Sequence, residues 1–554
     1  MADPNTTAVK RSDATNESIK DTIESIIIAF VLAFVFRAYV VEAFVIPTGS
    51  MAPTLLGAHV AATCPECGYQ FSIDVDEKFR TERLKGADKY VIRSFLTQRL
   101  EARCPICSSA IALPRGTPMK AGDRILVLKY IYNVSEPRRW DVVVFKNPQK
   151  PEENYIKRLV GLPREELYIV EGNIYTRPLV RGDEEPWTIA RKSDRPQVQR
   201  AVWQPIYHSD YLPLDSDPAQ ARRPRWTNPW EPTDSPDRWP GLTYSRSYRH
   251  EGSQPGGLRY RFATAQVHPD ESIVATRYAY NQFRPSEIDR FALEPIEDIR
   301  LAVRVTPDQP GLSVTLQTTG RWESMDGNQR VVIAARIAAD GTAILEAQPS
   351  QGAAVELARG DVGAFLPGQS RSLELWYVDQ GLTLWVDGRA ALESKFTVSN
   401  EDLVKRPPLQ DGSVPEVEIR VEGSAVTLYH IELDRDLYYS SRGTMSVARG
   451  GLVKGQHQGG ESGQPVMLGE DQFFCMGDNS PMSHDSRYWS LVEPWIRDRV
   501  FHAGEGERDQ SLIRGRVPRE LMMGRAFFVY WPATYPAAGG LPVVPNFGSM
   551  RMIH

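Results

Sequence analysis

The chain is poor in several things that would class it at once. Five cysteines in 554 residues are too few for a disulfide-dense secreted scaffold. None of the nine histidines is marked by its surroundings as a catalytic base. An excess of one charge is also missing. Lys and Arg total 65 against 70 Asp and Glu, a net charge of −5. That balance lacks the basic excess of a nucleic-acid binder, so no nucleic-acid partner is expected. Long apolar runs are scarce, and a mean hydropathy of −0.38 excludes a polytopic membrane protein. What is present is ordinary for folded protein: 41% apolar and 24% charged residues, which excludes global disorder. At roughly 100–200 residues per domain, the length predicts three or four domains.

The single apolar block is informative. Residues 25–36 read SIIIAFVLAFVF without a charge. Twelve helical residues rise only about 18 Å, short of a ~30 Å hydrocarbon core. Extended to residues 22–41 the segment reaches ~30 Å, with Glu24 and Arg37 near its ends, where Arg can snorkel. One reading is a transmembrane anchor behind a polar tail of residues 1–21. The other is the core of a signal peptide that is removed. Lys10, Arg11 and Lys20 favour a cytoplasmic N-terminus, which places everything after residue 45 outside.

Directly after this block stands Phe44-Val45-Ile46-Pro47-Thr48-Gly49-Ser50-Met51-Ala52-Pro53-Thr54-Leu55, a Thr-Gly-Ser turn bracketed by prolines. Gly122-Asp123-Arg124-Ile125-Leu126-Val127 follows, then Trp140-Asp141-Val142-Val143-Val144-Phe145. After these come Tyr155-Ile156-Lys157-Arg158-Leu159-Val160-Gly161 and, much later, Met476-Gly477-Asp478-Asn479-Ser480-Pro481-Met482-Ser483-His484-Asp485-Ser486-Arg487. A serine hydroxyl is a weak nucleophile and needs a base. A lysine serves if its pKa of ~10.4 falls by two or three units, which desolvation among apolar neighbours supplies. Lys157 has Ile156, Leu159 and Val160 around it.

In this order, behind an N-terminal apolar segment, the blocks resemble the type I signal peptidases, the membrane-bound Ser/Lys leader peptidases of family S26. The resemblance covers residues 22–60, 119–178 and 470–535. It favours the retained anchor over a cleaved signal peptide. It implies a bacterial inner-membrane, single-pass endopeptidase with its catalytic domain on the periplasmic face. Its substrates would be the signal peptides of exported preproteins, cut after a small-x-small (Ala-x-Ala) motif, and its other partner the lipid bilayer. It maps the nucleophile to Ser50 and the general base to Lys157. Thr48 supplies the oxyanion-hole hydroxyl, where many relatives have Ser, and Ser483 orients Lys157. Arg158, Asp478, Asp485 and Arg487 brace the site, with Asp485 expected to pair with Arg158 or Arg487. Phe44, Ile46, Met51, Leu55, Tyr155 and Ile156 match pocket-wall positions, although the same residues suit a core. One departure is Ser480-Pro481-Met482, where the family commonly has Arg-Asp-Asn, which puts the bracing of that loop in question. No cofactor for catalysis is expected.

Ser50 and Lys157 are separated by more chain than the two blocks need. The excess holds Cys64-Pro65-Glu66-Cys67-Gly68 and Cys104-Pro105-Ile106-Cys107. Two C-x2-C knuckles offer four thiolates for tetrahedral zinc, and the first resembles a zinc ribbon. Two disulfides or four reduced thiols are the alternatives. The charged stretch 79–103 between the knuckles is helix-permissive. Cys475 is left as a buried small residue.

A second excess separates the Lys157 and Gly477 blocks. Residues 181–240 hold ten prolines with Trp187, Trp203, Trp226, Trp230 and Trp239, which excludes regular helix. From 258 to 440, alternating runs at 299–305, 312–318, 331–337, 373–378, 382–386, 417–421 and 426–433 predict an antiparallel β-sandwich. Asp-Gly turns at 326–327, 340–341 and 387–388 support it. The run Leu382-Thr383-Leu384-Trp385-Val386-Asp387-Gly388 resembles laminin-G or concanavalin-like jelly rolls. That likeness leaves a glycan or protein ligand open, with Trp376 and Trp385 read as core.

The expected architecture is mainly β. It comprises an anchor at 22–41, an antiparallel peptidase core at 42–60, 119–178 and 470–535, and a four-cysteine, zinc-ribbon-like insertion at 61–118. A Pro/Trp-rich connection at 179–257, a sandwich at 258–440, a Gly-rich linker at 441–469 and a tail at 536–554 complete it. The rival reading is a cell-surface glycan- or protein-binding protein with a vestigial peptidase core.

Overall fold

The computed structural model describes residues 20–32, 34, 35, 37, 39–75, 81–83, 90–93, 95–107, 109–179, 185–213, 228–242, 246–261, 280, 296–321, 330–349, 352–396, 415–439, 445–448, 451–454, 465–489, 493–499, 514–532 and 547–554. Its architecture is mainly β, every strand pairing is antiparallel, and helices are few and short.

The sheet that carries the Ser/Lys blocks is eight-stranded. Its order is Val41–Val45, Arg124–Leu128, Met522–Trp531, Val142–Asn147, Lys150–Gly161, Gln472–Met476 and Val517–Pro518, with Arg551–Met552 added beside Met522–Trp531. Alternation explains the two faces. Ile156 and Val160 point one way from the long strand and Tyr155, Lys157 and Leu159 the other. Val142, Val144 and Ile156 share a core with Ile46, Met51 and Leu55. Val143, Phe145 and Leu159 pack with Phe473, Cys475 and Trp489. Residues 536–554, expected as a tail, end instead inside this unit: the strand Arg551–Met552 pairs with Phe528 and Val529.

Two seven-stranded sheets enclose the largest core, built from Leu301, Val303, Leu316, Ile333, Leu375, Leu384, Ile419 and Leu433 among others. All seven predicted runs fall on observed strands, from Ile299–Pro307 to Val426–Arg435. Two expectations need correction. The Pro/Trp-rich stretch is not merely a connection. It gives Gln204–His208 and Tyr248–His250 to one sheet and Trp230–Pro232 and Gly256–Tyr260 to the other. Its prolines are compatible with this because Gln204–His208 and Trp230–Pro232 are edge strands, where a missing N–H breaks no ladder. The Gly-rich stretch also holds strands. Met445–Ala448 pairs with Gly451–Lys454, and Val466–Met467 joins a four-stranded sheet beside Glu165–Val170. The turn at 326–327 and Trp226 lie outside the described residues.

Each cysteine pair sits on a small hairpin, His59–Thr63 with Gln70–Asp74 and Leu100–Arg103 with Ala110–Leu113. Between them, the helix-permissive stretch contains a third hairpin, Thr81–Arg83 with Tyr90–Ile92, and no helix among the described residues.

Residues 20–32 are helical, and Ile23, Ile26, Ile27, Ile28, Phe30 and Leu32 are each at least half exposed. The expected twenty-residue span is shortened at its end, because Val41 already pairs with Leu128 as the first residue of a strand. Among the described residues, no helix is long and apolar enough to cross a membrane.

Candidate active site

Ser50 occupies a short 3-10 turn, Gly49–Met51, that follows the strand Val41–Val45. Lys157 comes from the middle of the strand Lys150–Gly161, opposite Val143. Their side chains meet: Lys157 Nζ lies 2.8 Å from Ser50 Oγ, and donates to the Ile156 carbonyl at 3.1 Å. Lys157 is buried beside Tyr155, whose ring centroid is 5.1 Å from the amine. Burial dominates its titration and pulls the pKa down to about 8, although Asp485 and Asp478 work in the opposite direction. A neutral amine is therefore attainable near physiological pH. Its lone pair can face the serine while one N–H stays on Ile156.

Two buried ion pairs flank the dyad. On the opposite face of the strand, Arg158 grips Asp478 with Nε to Oδ1 at 2.7 Å and Nη2 to Oδ2 at 2.6 Å. The same guanidinium donates to the Trp140 carbonyl (2.8 Å) and to the carbonyl of the last residue, His554 (3.0 Å). The Thr54 hydroxyl donates to the Asp478 carboxylate. The second pair is Arg487 with Asp485, at 2.9 Å from Nε and 2.8 Å from Nη2. Asp485 also accepts the Gly477 N–H at 3.0 Å. Burial alone would raise the Asp485 pKa, but the Arg487 guanidinium more than reverses this and holds it low. All four of these residues are fully buried.

The substituted segment Ser480-Pro481-Met482 keeps the loop braced. Arg487 donates to Ser480 Oγ and to the Ser480 carbonyl, both at 3.0 Å. From the same loop, the Asn479 backbone N–H reaches the Ser50 carbonyl (3.1 Å) and its side-chain amide reaches the Gly49 carbonyl (3.0 Å), pinning both ends of the nucleophile's peptide units. The approach is so close that a Cβ on Gly477 would stand 2.3 Å from the Ser50 carbonyl oxygen, which only glycine avoids.

The other expected residues divide. Thr48 is exposed and extended (φ −125°, ψ 158°), and its hydroxyl does not cap the turn. Ser483 differs from expectation. It is buried against Gly477, and Lys157 Nζ bonds to Ser50 Oγ and the Ile156 carbonyl and not to Ser483. Of the pocket-wall residues, Ile46, Met51 and Leu55 are buried in the core, as their apolar character equally allows. Phe44, Tyr155 and Ile156 remain partly exposed. Residues 64, 67, 104 and 107 come together in one buried cluster, with Sγ–Sγ distances of 3.6 Å for Cys64–Cys107 and for Cys67–Cys104. Trp376 and Trp385 are buried and tilted against each other at 4.7 Å.

Four residues of the site carried no role in the sequence reading. Asn479 and Thr54 lie inside the quoted blocks, where their short polar side chains were the available signal. His554 and Tyr280 gave none. Tyr280 is fully buried and packs on Gly49, whose Cβ would stand 2.2 Å from its ring.

The family model for signal peptidases, peptidase S26, matches residues 111–200 and 413–531. Signal peptidase I of Rickettsia typhi is 27% identical over 161 residues, covering 29% of this chain and 44% of its own. Signal peptidase I of Pseudomonas aeruginosa is 33% identical over 121 residues, covering 18% of this chain and 38% of its own. The chain therefore matches less than half the length of these relatives. Among solved structures, the carbohydrate binding module CBM66 from Bacillus subtilis aligns with 38% of this chain and 96% of its own. Its TM-score is 0.22 and its identity 7%. The stretches bearing Lys157 and the Met476–Arg487 loop both lie within the residues that match the signal peptidase family, peptidase S26.

Proposed function

We propose that this protein is a membrane-associated signal peptidase that cuts exported preproteins after small-x-small motifs through a Ser50/Lys157 dyad. The observation that carries the reading is the 2.8 Å contact between a buried, pKa-lowered lysine and a serine on a tight turn. Neutral Lys157 takes the Ser50 proton as Oγ attacks the scissile carbonyl. The oxyanion falls to the Ser50 backbone N–H and the exposed Thr48 hydroxyl. Lys157 returns its proton to the leaving amine, then activates the water that hydrolyses the acyl-enzyme. Ser483 and the Arg487–Asp485 pair shape the wall behind the lysine.

The apolar segment supports attachment to a bilayer. A helix with exposed isoleucine, phenylalanine and leucine on all sides has no place in water unless something apolar covers it. On this reading the segment anchors the chain beside the membrane and the cleft faces the exported side.

A structural zinc at Cys64, Cys67, Cys104 and Cys107 is part of the proposal. The 3.6 Å contacts are far from the ~2.05 Å of a disulfide. They approach the roughly 3.8 Å edge of a tetrahedron with ~2.3 Å Zn–S bonds. Four thiolates close the coordination shell, so the metal would hold two hairpins together and take no part in the chemistry.

The test is cleavage of an Ala-x-Ala preprotein by the full chain in detergent. Wild type is expected to release the mature protein, with Ser50→Ala and Lys157→Met each slower by at least ~10⁴-fold. Equal rates in wild type and Ser50→Ala would overturn the reading and leave the core vestigial.

A further inference from the structure

Away from the cleft, three aspartates converge where the sandwich meets the Lys157-bearing part of the chain. Asp298 precedes the strand Ile299–Pro307 and Asp436 follows Val426–Arg435. Asp379 sits in the two-residue turn between Arg371–Val378 and Gly381–Val386. One carboxylate oxygen from each lies within 4.8 Å of the others. Asp379 and Gln380 both hold positive φ (51° and 54°), so the turn presents both side chains at a conformational cost.

The local charge does not balance. Lys192 is the cation shared by the cluster, 2.8 Å from Asp379 Oδ1 and 3.0 Å from Asp436 Oδ2. Among the described residues, the other hydrogen-bond donors to the carboxylates are neutral: Gln199 Nε2 to Asp436 (2.6 Å), the Ser193 N–H to Asp379 (2.9 Å) and the Asp379 N–H to Asp298 (3.3 Å). Arg321, on the same cavity, is taken up by Glu171 and Glu297. Arg435 gives a donor to the Asp436 backbone carbonyl (3.4 Å). Among the described residues, three carboxylates thus share one ammonium in a mostly buried place, an imbalance that is costly unless a further cation or a proton answers it.

A separate observation points to a ligand. Gln380 is only 6% exposed, and its amide nitrogen is committed to the Tyr175 hydroxyl. Its carbonyl oxygen Oε1 is buried and accepts nothing. Gln380 lines the same cavity as Asp298 and Asp436, so an unpartnered buried acceptor and two of the three carboxylates border one space. Asp298 is the partly exposed member of the three.

We infer that Asp298, Asp379, Asp436 and the Gln380 side-chain oxygen form a site for a hard divalent cation of the calcium type at this junction. The donors are all oxygen, which suits calcium and not a thiophilic metal. Oxygens up to 4.8 Å apart can share one ion at the 2.3–2.6 Å typical of calcium. Lys192 holds one oxygen of Asp379 and one of Asp436; their other oxygens and Asp298 Oδ2 each accept one neutral N–H and keep a second lone pair for the ion. The ion would tie the ends of two sandwich strands to the Asp379 turn. Through Lys192, whose amine lies 5.6 Å from the Trp140 ring, it would also reach the core that contains Val160.

The test uses the full chain in detergent, dialysed against resin-depleted buffer without a soluble chelator, so that the cysteine cluster is left undisturbed. Adding calcium chloride is expected to raise the midpoint of thermal unfolding by roughly 5 °C or more at saturation. Asp298→Asn, which keeps an acceptor for the Asp379 N–H, is expected to abolish that rise while its calcium-free midpoint stays equal or higher. Gln380→Leu is expected to weaken the calcium dependence at least tenfold in concentration. No calcium-dependent shift in the wild type would overturn the site. A shift that persists undiminished in Asp298→Asn would do the same. A midpoint that climbs on acidification and ignores calcium would show that a proton answers the charge excess.

Discussion

If Lys157 is the base, its protonation state sets both the activity and a measurable part of the stability. A fall in pKa from 10.5 to about 8 means that burying the charged form costs about 3 kcal/mol relative to water. At pH 7 roughly a tenth of the enzyme then carries a neutral lysine, and at pH 9 roughly nine tenths. kcat/KM for a preprotein should therefore climb about tenfold between these values, with an apparent pKa near 8. The stability follows with a definite sign. Between the folded value of about 8 and the unfolded value of 10.5 the unfolded chain binds more protons, so unfolding free energy rises with pH across that window. Lys157→Met removes the buried charge while keeping the length of the chain. It should be inactive yet more stable than wild type at pH 7, by up to ~3 kcal/mol in denaturant titrations, with the difference shrinking as pH rises from about 8 and gone near the unfolded value of 10.5. A flat rate between pH 7 and 9 would refute the assignment of the base. So would a break below pH 6.5, which would point to His484, whose own pKa burial pushes down.

Three further outcomes follow from the same geometry. Thr48→Val keeps the shape and removes the hydroxyl, so kcat should drop by about 10²–10³-fold with KM little changed, while Thr48→Ser retains most of the rate. Arg158→Met strands Asp478 in a fully buried position and should cost about 3–5 kcal/mol in urea unfolding, whereas pairing it with Asp478→Leu should recover much of that loss. Cys64→Ser should lower the zinc content of the purified protein from one equivalent towards none, measured by plasma emission. Unchanged zinc would remove the metal from the proposal.

Much of the fold was legible because alternation reports a buried face directly. The runs around Val303, Leu375, Leu384 and Ile419 are inward residues every second position, and each became a strand. The edge strands were hidden by composition. Pro205 and Pro232 read as breaks, yet an edge tolerates them, so a proline-rich stretch supplied the borders of two sheets. The charged stretch between the cysteine pairs misled for a related reason, because charge marks a solvated surface and does not say whether helix or hairpin carries it. In the site, Ser50 and Lys157 were visible from the blocks around them. The partner of Arg158 was less so, because Asp478 stands 320 positions away and pairing across that distance is set by sheet order. Ser483 shows the opposite failure: a matching position brought the residue into place without the expected bond.

The sheet order also explains how a site survives a large insertion. Arg158 and Met476 are cross-strand neighbours although about three hundred residues intervene. Loop-closure entropy grows only with the logarithm of length, so a long insertion adds little cost if its ends are already held together. Here they are. Val466–Met467 pairs with Glu165–Val170 in the sheet that Asn173–Pro178 and Thr188–Ile189 extend, and Gly172 bridges Tyr439 across the base of the sandwich. Gly172 has φ +81°, and a Cβ there would stand 2.4 Å from the Tyr438 ring, so the junction is both tight and glycine-dependent. A clamp of this kind, placed between the dyad's strand and the loop that pins Ser50, lets the sandwich diversify without moving Lys157.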